Sequence, residues 1–238
     1  MDLQENIVDI NLLPSDHLFN QTERICLFGS SNAGKTHLAV NLIRRYSDKF
    51  YKIVLCGNRN DLLTAAETSN KTEMYIADSQ GEEIYNPFKD LDSYDVKKFG
   101  PKQLLIVFDD IQEYAYKSEV LSQLFSKGRH YNISIFLILQ TYFPRGSGNS
   151  LMPQIKNNTT VQIFFKCRSH SEIATIASRL EYGKRDRDFF VSLFKKLVLE
   201  KRFGYLAVFL DCSDSRLRYA NNLIGEDNSP FLTVYKAR

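Results

Sequence analysis

The stretch "LFGSSNAGKTHLAV", Leu27 to Val40, constrains this chain more tightly than any other. Gly29, Gly34, Lys35 and Thr36 satisfy the pattern G-x-x-x-x-G-K-[ST] without a mismatch. Before it runs "RICLF", an apolar and partly β-branched segment that reads as a short buried strand. After it, Ala39, Leu42, Ile43 and Tyr46 recur at helical spacing. A glycine-rich turn between a strand and a helix is a phosphate cradle, because successive backbone N–H groups point inward and the helix start adds partial positive charge. The expected nucleotide-binding set is Gly29, Ser30, Ser31, Asn32, Ala33, Gly34, Lys35, Thr36 and His37. Lys35 should reach the β- and γ-phosphates of ATP, and the Thr36 hydroxyl should ligate Mg²⁺.

The rest of the chain alternates strand-like and helix-like segments. "KIVLCG" (Lys52 to Gly57), "LLIVF" (Leu104 to Phe108), "ISIFLIL" (Ile133 to Leu139), "VQIFF" (Val161 to Phe165), "YLAVFL" (Tyr205 to Leu210) and "FLTVY" (Phe231 to Tyr235) are predominantly apolar runs of strand length. Between them, Val120, Leu121, Leu124 and Phe125 share one helical face, with Gly128 placed as a C-cap. "SHSE", Ser169 to Glu172, has capping-box spacing ahead of a helix carrying Ile173, Ile176 and Ala177. This pattern predicts an α/β fold with a mainly parallel central sheet flanked by helices. With 238 residues, one domain over 1–238 is the simplest organisation, with a lead-in over 1–20 and a polar insertion over 58–102 at the edge of the core.

Composition excludes several classes. Apolar runs are far too short to span a bilayer, and "MDLQENIVDI" has no basic or apolar leader, so no membrane partner and an intracellular location are expected. Cys26, Cys56, Cys167 and Cys212 lack metal-site spacing and read as core thiols. Charge is concentrated in one place. Residues 184–202 hold seven basic side chains against three acidic ones, a local +4 in a chain whose total is +3. Such a segment is either a solvated helix or the footprint of a nucleic-acid partner, with Lys195, Lys196, Lys201 and Arg202 as the contact candidates.

Two carboxylates close the run "LLIVFDD". Asp109 sits where a nucleoside triphosphatase holds Mg²⁺, and Asp110 or Glu113 is placed to orient the attacking water, Asp110 being nearer the strand end. "NKTE", Asn70 to Glu73, is out of order for a guanine-reading motif, and the carboxylate pair fits a small kinase poorly. "GRHYNISIFLILQTYFP", Gly128 to Pro144, resembles the corresponding segment of viral DNA-packaging ATPases of the poxvirus type, in the FtsK–HerA superfamily of P-loop NTPases. "PQIKNNTTVQIFFKCRSHSEI" and "FGYLAVFLDCSDSRLRYANNL" resemble the later parts of the same proteins, so the likeness runs over about 22–236. Two departures stand out: Asp110 replaces the commoner Glu, and Gln162 stands where FtsK relatives often carry Arg.

The resemblance implies a RecA-like ATPase of the class with an extra central strand. It implies a pentameric or hexameric homo-oligomeric ring that moves double-stranded DNA, with capsid or portal-vertex proteins as further partners, in the host cytoplasm, a virus factory or the virion. In that frame Lys35, Asp110, Gln140 and Arg129 are the expected catalytic residues, Thr36 and Asp109 the metal ligands, Gln140 a γ-phosphate sensor and Arg129 a finger acting on a neighbour. Lys156 and Arg145 are the reserve fingers. A cellular or plasmid DNA pump or helicase, a nucleotide or polynucleotide kinase, and a non-hydrolysing nucleotide-binding module remain alternatives.

Overall fold

A computed structural model describes residues 7–14, 18–57, 72–75, 86–87, 101–109, 111, 115, 117–143, 150–167, 169–181, 183–211, 218–224 and 231–237. Its strands are β1 Ile7–Pro14, β2 Arg24–Phe28, β3 Phe50–Gly57, β4 Thr72–Tyr75 and β5 Gln103–Asp109, then β6 Ile133–Leu139, β7 Val161–Phe164, β8 Leu206–Phe209, β9 Tyr219–Asn221 and β10 Phe231–Ala237. The helices are α1 Lys35–Arg45, α2 Glu119–Lys127, α3 Met152–Asn157, α4 His170–Leu180 and α5 Lys184–Phe194, the last continuing into a π-helical turn over Lys195–Leu199.

All ten strands form one sheet in the order β1-β10-β9-β8-β7-β2-β6-β5-β3-β4. From β7 to β4 every pairing is parallel, whereas β8, β9, β10 and β1 add on antiparallel. The predominantly apolar character of β5 and β6 follows from burial on both faces. Leu104, Ile106 and Phe108 pack with α2, α3, α4 and α5, while Leu105 and Val107 pack with α1 on the opposite side. Periodicity alone does not fix strand direction, and β8 and β10 prove antiparallel. Strands β1 and β9 are additions to the expected inventory, and β4, inside the expected 58–102 insertion, pairs along the outer edge of β3.

Two helices start on a serine side-chain cap. Ser118 Oγ accepts the Leu121 N–H at 3.1 Å at the start of α2. Gly128 does close α2, but in a right-handed conformation, and the chain tightens into a short 3₁₀ turn over Gly128–Tyr131 before Asn132 takes the left-handed φ of 56°. Ser169 Oγ accepts the Glu172 N–H at 3.3 Å, the first half of a capping box. The Glu172 carboxylate turns elsewhere, as described below. Cys26 and Cys56 are buried free thiols and Cys167 a partly buried one, and Cys212 lies outside the described residues.

Candidate functional site

The glycine-rich loop leaves the carboxyl end of β2, in the middle of the parallel strands. Its two ends are tied to neighbours: the Gly29 N–H donates to the Leu139 carbonyl at the end of β6, and the Ser30 N–H donates to the Lys166 carbonyl after β7. Asn32 and Gly34 both take positive φ, 61° and 101°, and between them the Ala33 N–H donates back to the Ser30 carbonyl at 3.3 Å, closing the loop into a tight turn. The left-handed Gly34 hands the chain directly to α1. Lys35 is only 8% exposed, and its ammonium donates to the Gly29 and Ser30 carbonyls, each at 2.8 Å. The lysine therefore lies across the loop, at the level where the β- and γ-phosphates of a triphosphate belong.

Strand β6 lies between β2 and β5, so the loop strand and the carboxylate strand flank one central strand. Across that gap Thr36 Oγ1 donates to Asp109 Oδ2 at 2.9 Å, although the residues are far apart in sequence. Asp109 is 5% exposed and sits opposite Ile138 on β6. One hydroxyl and one carboxylate oxygen in contact are hard donors that suit Mg²⁺. Gln140 follows directly on β6, half-buried, at the same end of the sheet. The other expected site side chains at this edge, Asp110 and Glu113, lie outside the described residues, as does Arg145.

The segment after Gln140 is held from below. Glu172 Oε1 accepts from the Thr141 hydroxyl at 3.3 Å and from the Tyr142 N–H at 3.4 Å. Lys156 donates to the Tyr142 carbonyl, and its ammonium lies 3.5 Å from the centroid of the Tyr142 ring, with Phe28 and Phe143 also nearby. Burial pushes the Lys156 amine down to about 8. Lys156, a reserve finger in the sequence reading, is thus committed inside its own subunit. Local spacing marks neither Lys156 nor Glu172 as a brace, because Glu172 stands at the capping-box position of its helix.

Several expected residues lie away from the loop. Arg129 is exposed in the 3₁₀ turn before β6, at the amino end of the parallel strands. The seven residues of β6 separate it from the loop edge, a span of about 20 Å. Arg129 is therefore remote from its own Lys35. Gln162, where relatives often carry Arg, is 2% exposed and paired between Cys26 of β2 and Val208 of β8, so its own side chain lies inside the subunit. In the basic segment, Lys195, Lys201 and Arg202 are exposed and Lys196 is half-buried. Lys201 and Arg202 rim two cavities beside the loop, one against Ser30–Ala33 and one against Gly34 and His37.

The family model described as "Poxvirus A32 protein" matches residues 13–145, more than half of the chain. The chain belongs to the poxvirus A32 family. The matched span takes in the glycine-rich loop, the Asp109 strand and Gln140. Among solved structures, this A32-family chain is similar to the genome packaging NTPase B204 from Sulfolobus turreted icosahedral virus 2 in complex with AMPPCP. That match has a TM-score of 0.53 and 14% identity, over 92% of this chain and 100% of that one. The same protein in complex with ATP-γS gives 0.51 and 15%, over 81% and 94%. The cytoplasmic domain of the Thermomonospora curvata type VII secretion ATPase EccC gives 0.52 and 14%, over 100% of this chain and 29% of that one. At these identities the likeness establishes a shared P-loop NTPase fold. No curated protein matches the chain.

Proposed function

We propose that this A32-family protein is the ATP-hydrolysing subunit of a ring motor that moves double-stranded DNA, packaging a viral or virus-like genome into a capsid. The observation that carries the nucleotide chemistry is the 2.9 Å contact of Thr36 with Asp109 across the central strand that ends in Gln140. The packaging assignment is supported by membership of the poxvirus A32 family and by the fold shared with a genome packaging NTPase.

In this reading the loop N–H groups and Lys35 hold the β- and γ-phosphates, which fixes the γ-phosphoryl group at the sheet edge. Thr36 and Asp109 would hold Mg²⁺, which would supply charge neutralisation at the phosphate oxygens. Asp110 accepts the proton of the attacking water, with Glu113 as the competing base. Gln140 orients that water or contacts the γ-phosphate. Arg129 reaches across a subunit boundary to the neighbouring site. Lys195, Lys196, Lys201 and Arg202 contribute contacts to DNA phosphates without reading sequence. Among the described residues no helix is long and apolar enough to cross a membrane.

The test is release of free phosphate from Mg-ATP by the purified protein, with and without duplex DNA. Turnover should rise with DNA, and Lys35→Ala should abolish it. Transfer of the γ-phosphoryl group to an acceptor without free phosphate would replace the motor with a kinase. Loss of DNA stimulation should follow rising salt steeply, because phosphate contacts release counterions.

A further inference from the structure

One aromatic side chain has no role in the machinery described so far. Among the described residues Phe203 is the large apolar side chain left open to solvent, 57% exposed, and it takes a left-handed φ of 60°. Both features are unfavourable for phenylalanine, since neither an exposed ring nor a left-handed backbone is gained cheaply. The turn that imposes them is rigidly built. The Gly204 N–H donates to the Lys201 carbonyl, and Gly204 lies so close to the π-helical turn that an added Cβ would fall 2.0 Å from the Leu197 carbonyl oxygen. A π-helical turn of this kind is frequent at functional sites. Phe203 is thereby held over the phosphate loop, 3.4 to 3.5 Å from where a Cβ on Gly34 would stand. The Arg202 guanidinium lies 5.1 Å from the centroid of its ring.

On one side of Phe203 opens a cavity of about 550 Å³, walled by Gly34, His37, Phe165, Tyr205 and Asn222. It adjoins the first turn of α1, on the side of Lys35 and Thr36 away from Gln140 and the catalytic edge. A triphosphate with its γ-phosphoryl group at that edge must direct its nucleoside the opposite way, past Gly34 and His37. The geometry points to this cavity as the nucleobase site, with Phe203 as its stacking wall. The inference rests on the reading of the loop as a nucleoside triphosphate site and assigns the part of the ligand that the loop does not hold. It also gives the strained turn a purpose. An aromatic face is presented beside the phosphates before any ligand arrives, so the ring need not be ordered on binding.

The experiment compares Mg-ATP with Mg-tripolyphosphate, which has the phosphates and no base, on the full chain. Phe203→Ala and Phe203→Gly should weaken ATP binding by about 5- to 150-fold, the range of one base–aromatic stack. Tripolyphosphate and duplex DNA should bind as to the wild type, and Phe203→Tyr should restore ATP affinity. Phe203→Gly guards against misfolding, because glycine accepts the left-handed backbone and should not lower Tm. Equal loss of both phosphate ligands would make Phe203 a brace for the loop and overturn the proposal. Unchanged ATP affinity, or a loss confined to DNA, would overturn it too. If the wild type binds neither ATP nor tripolyphosphate, the loop reading falls and this inference with it. If both bind in a Lys35-dependent way and Phe203→Ala shows no selective loss of ATP, this inference alone is wrong.

Discussion

Gly57→Ala should cripple hydrolysis from a position that touches no phosphate. Gly57 ends β3 directly opposite Asp109 of β5, and an added Cβ there would stand 2.4 Å from the Asp109 carbonyl oxygen. A carbon needs about 3.3 Å from such an oxygen, so the strand ends must separate by about 0.9 Å. A shift of that size displaces the end of β5 relative to the loop and distorts the 2.9 Å contact of Thr36 with Asp109. Strand β5 is buried on both faces and paired on both sides, so relaxation is resisted and about 1–3 kcal/mol of stability is lost. Misplacement by about 1 Å costs on the order of 10²-fold in rate, and this is the expected fall in kcat. Steady-state phosphate release against Mg²⁺ concentration, with Tm measured on the same samples, reads both effects. Cys56→Ala, one residue earlier on the same buried strand, is the control that should lose stability and keep its rate. If Gly57→Ala turns over at the wild-type rate with unchanged Mg²⁺ dependence, the Thr36–Asp109 contact is not the catalytic metal site.

Three further outcomes follow from particular residues. Asp110→Asn should bind ATP normally and hydrolyse it about 10²-fold more slowly in single-turnover assays, and the same phenotype in Glu113→Gln instead would transfer the base to Glu113. Arg129→Ala mixed with Lys35→Ala should recover phosphate release that neither variant has alone, whereas an Arg129→Ala protein as active as wild type would end the finger assignment. Glu23 is 7% exposed, and burial raises its carboxyl to about 7 despite the hydrogen bond from Thr160 Oγ1. The folded chain then binds the proton more tightly than the unfolded one. Stability contributed by the protonated group is present below pH 4.5 and is lost as pH rises to about 7. That loss is on the order of 3 kcal/mol, and Glu23→Gln should flatten the corresponding fall in Tm between about pH 5 and 7.

The parallel half of the sheet is legible because its strands carry the strongest local signal. A run such as "ISIFLIL" must be buried on both faces, and β6 occupies Ile133–Leu139 as that predicts. The loop is equally plain, since Gly29, Gly34, Lys35 and Thr36 each have one physical job. The antiparallel half is obscure for a converse reason. Strand β9 has only three residues, and β8 carries the same apolar pattern that a parallel strand would. Long-range partners are also invisible in local spacing. Glu172 reads as a helix cap until Thr141 and Tyr142 are seen to rest on it. Phe203 leaves one trace, an aromatic between Arg202 and Gly204 in an otherwise polar turn, which acquires meaning only when that turn is found beside Gly34.

The pairing of β1 with β10 has a consequence for biosynthesis. Ile7 is opposite Ala237 and Pro14 opposite Phe231, so β1 waits more than two hundred residues for β10, its neighbour in the sheet among the described residues. At ribosomal speeds of about 5–20 residues per second, the wait is on the order of 10 to 40 s. Throughout that interval "IVDINLLP" is a largely apolar strand without its β10 partner, the kind of segment that seeks a partner in other chains. The parallel strands around the loop can assemble earlier, but this border of the sheet can be sewn up only when synthesis has passed β10. A ribosome that stalls or a transcript that stops before Phe231 therefore yields more than a shortened protein. It releases a chain whose opening strand is exposed, and yields of such products should fall through aggregation rather than through loss of the nucleotide loop.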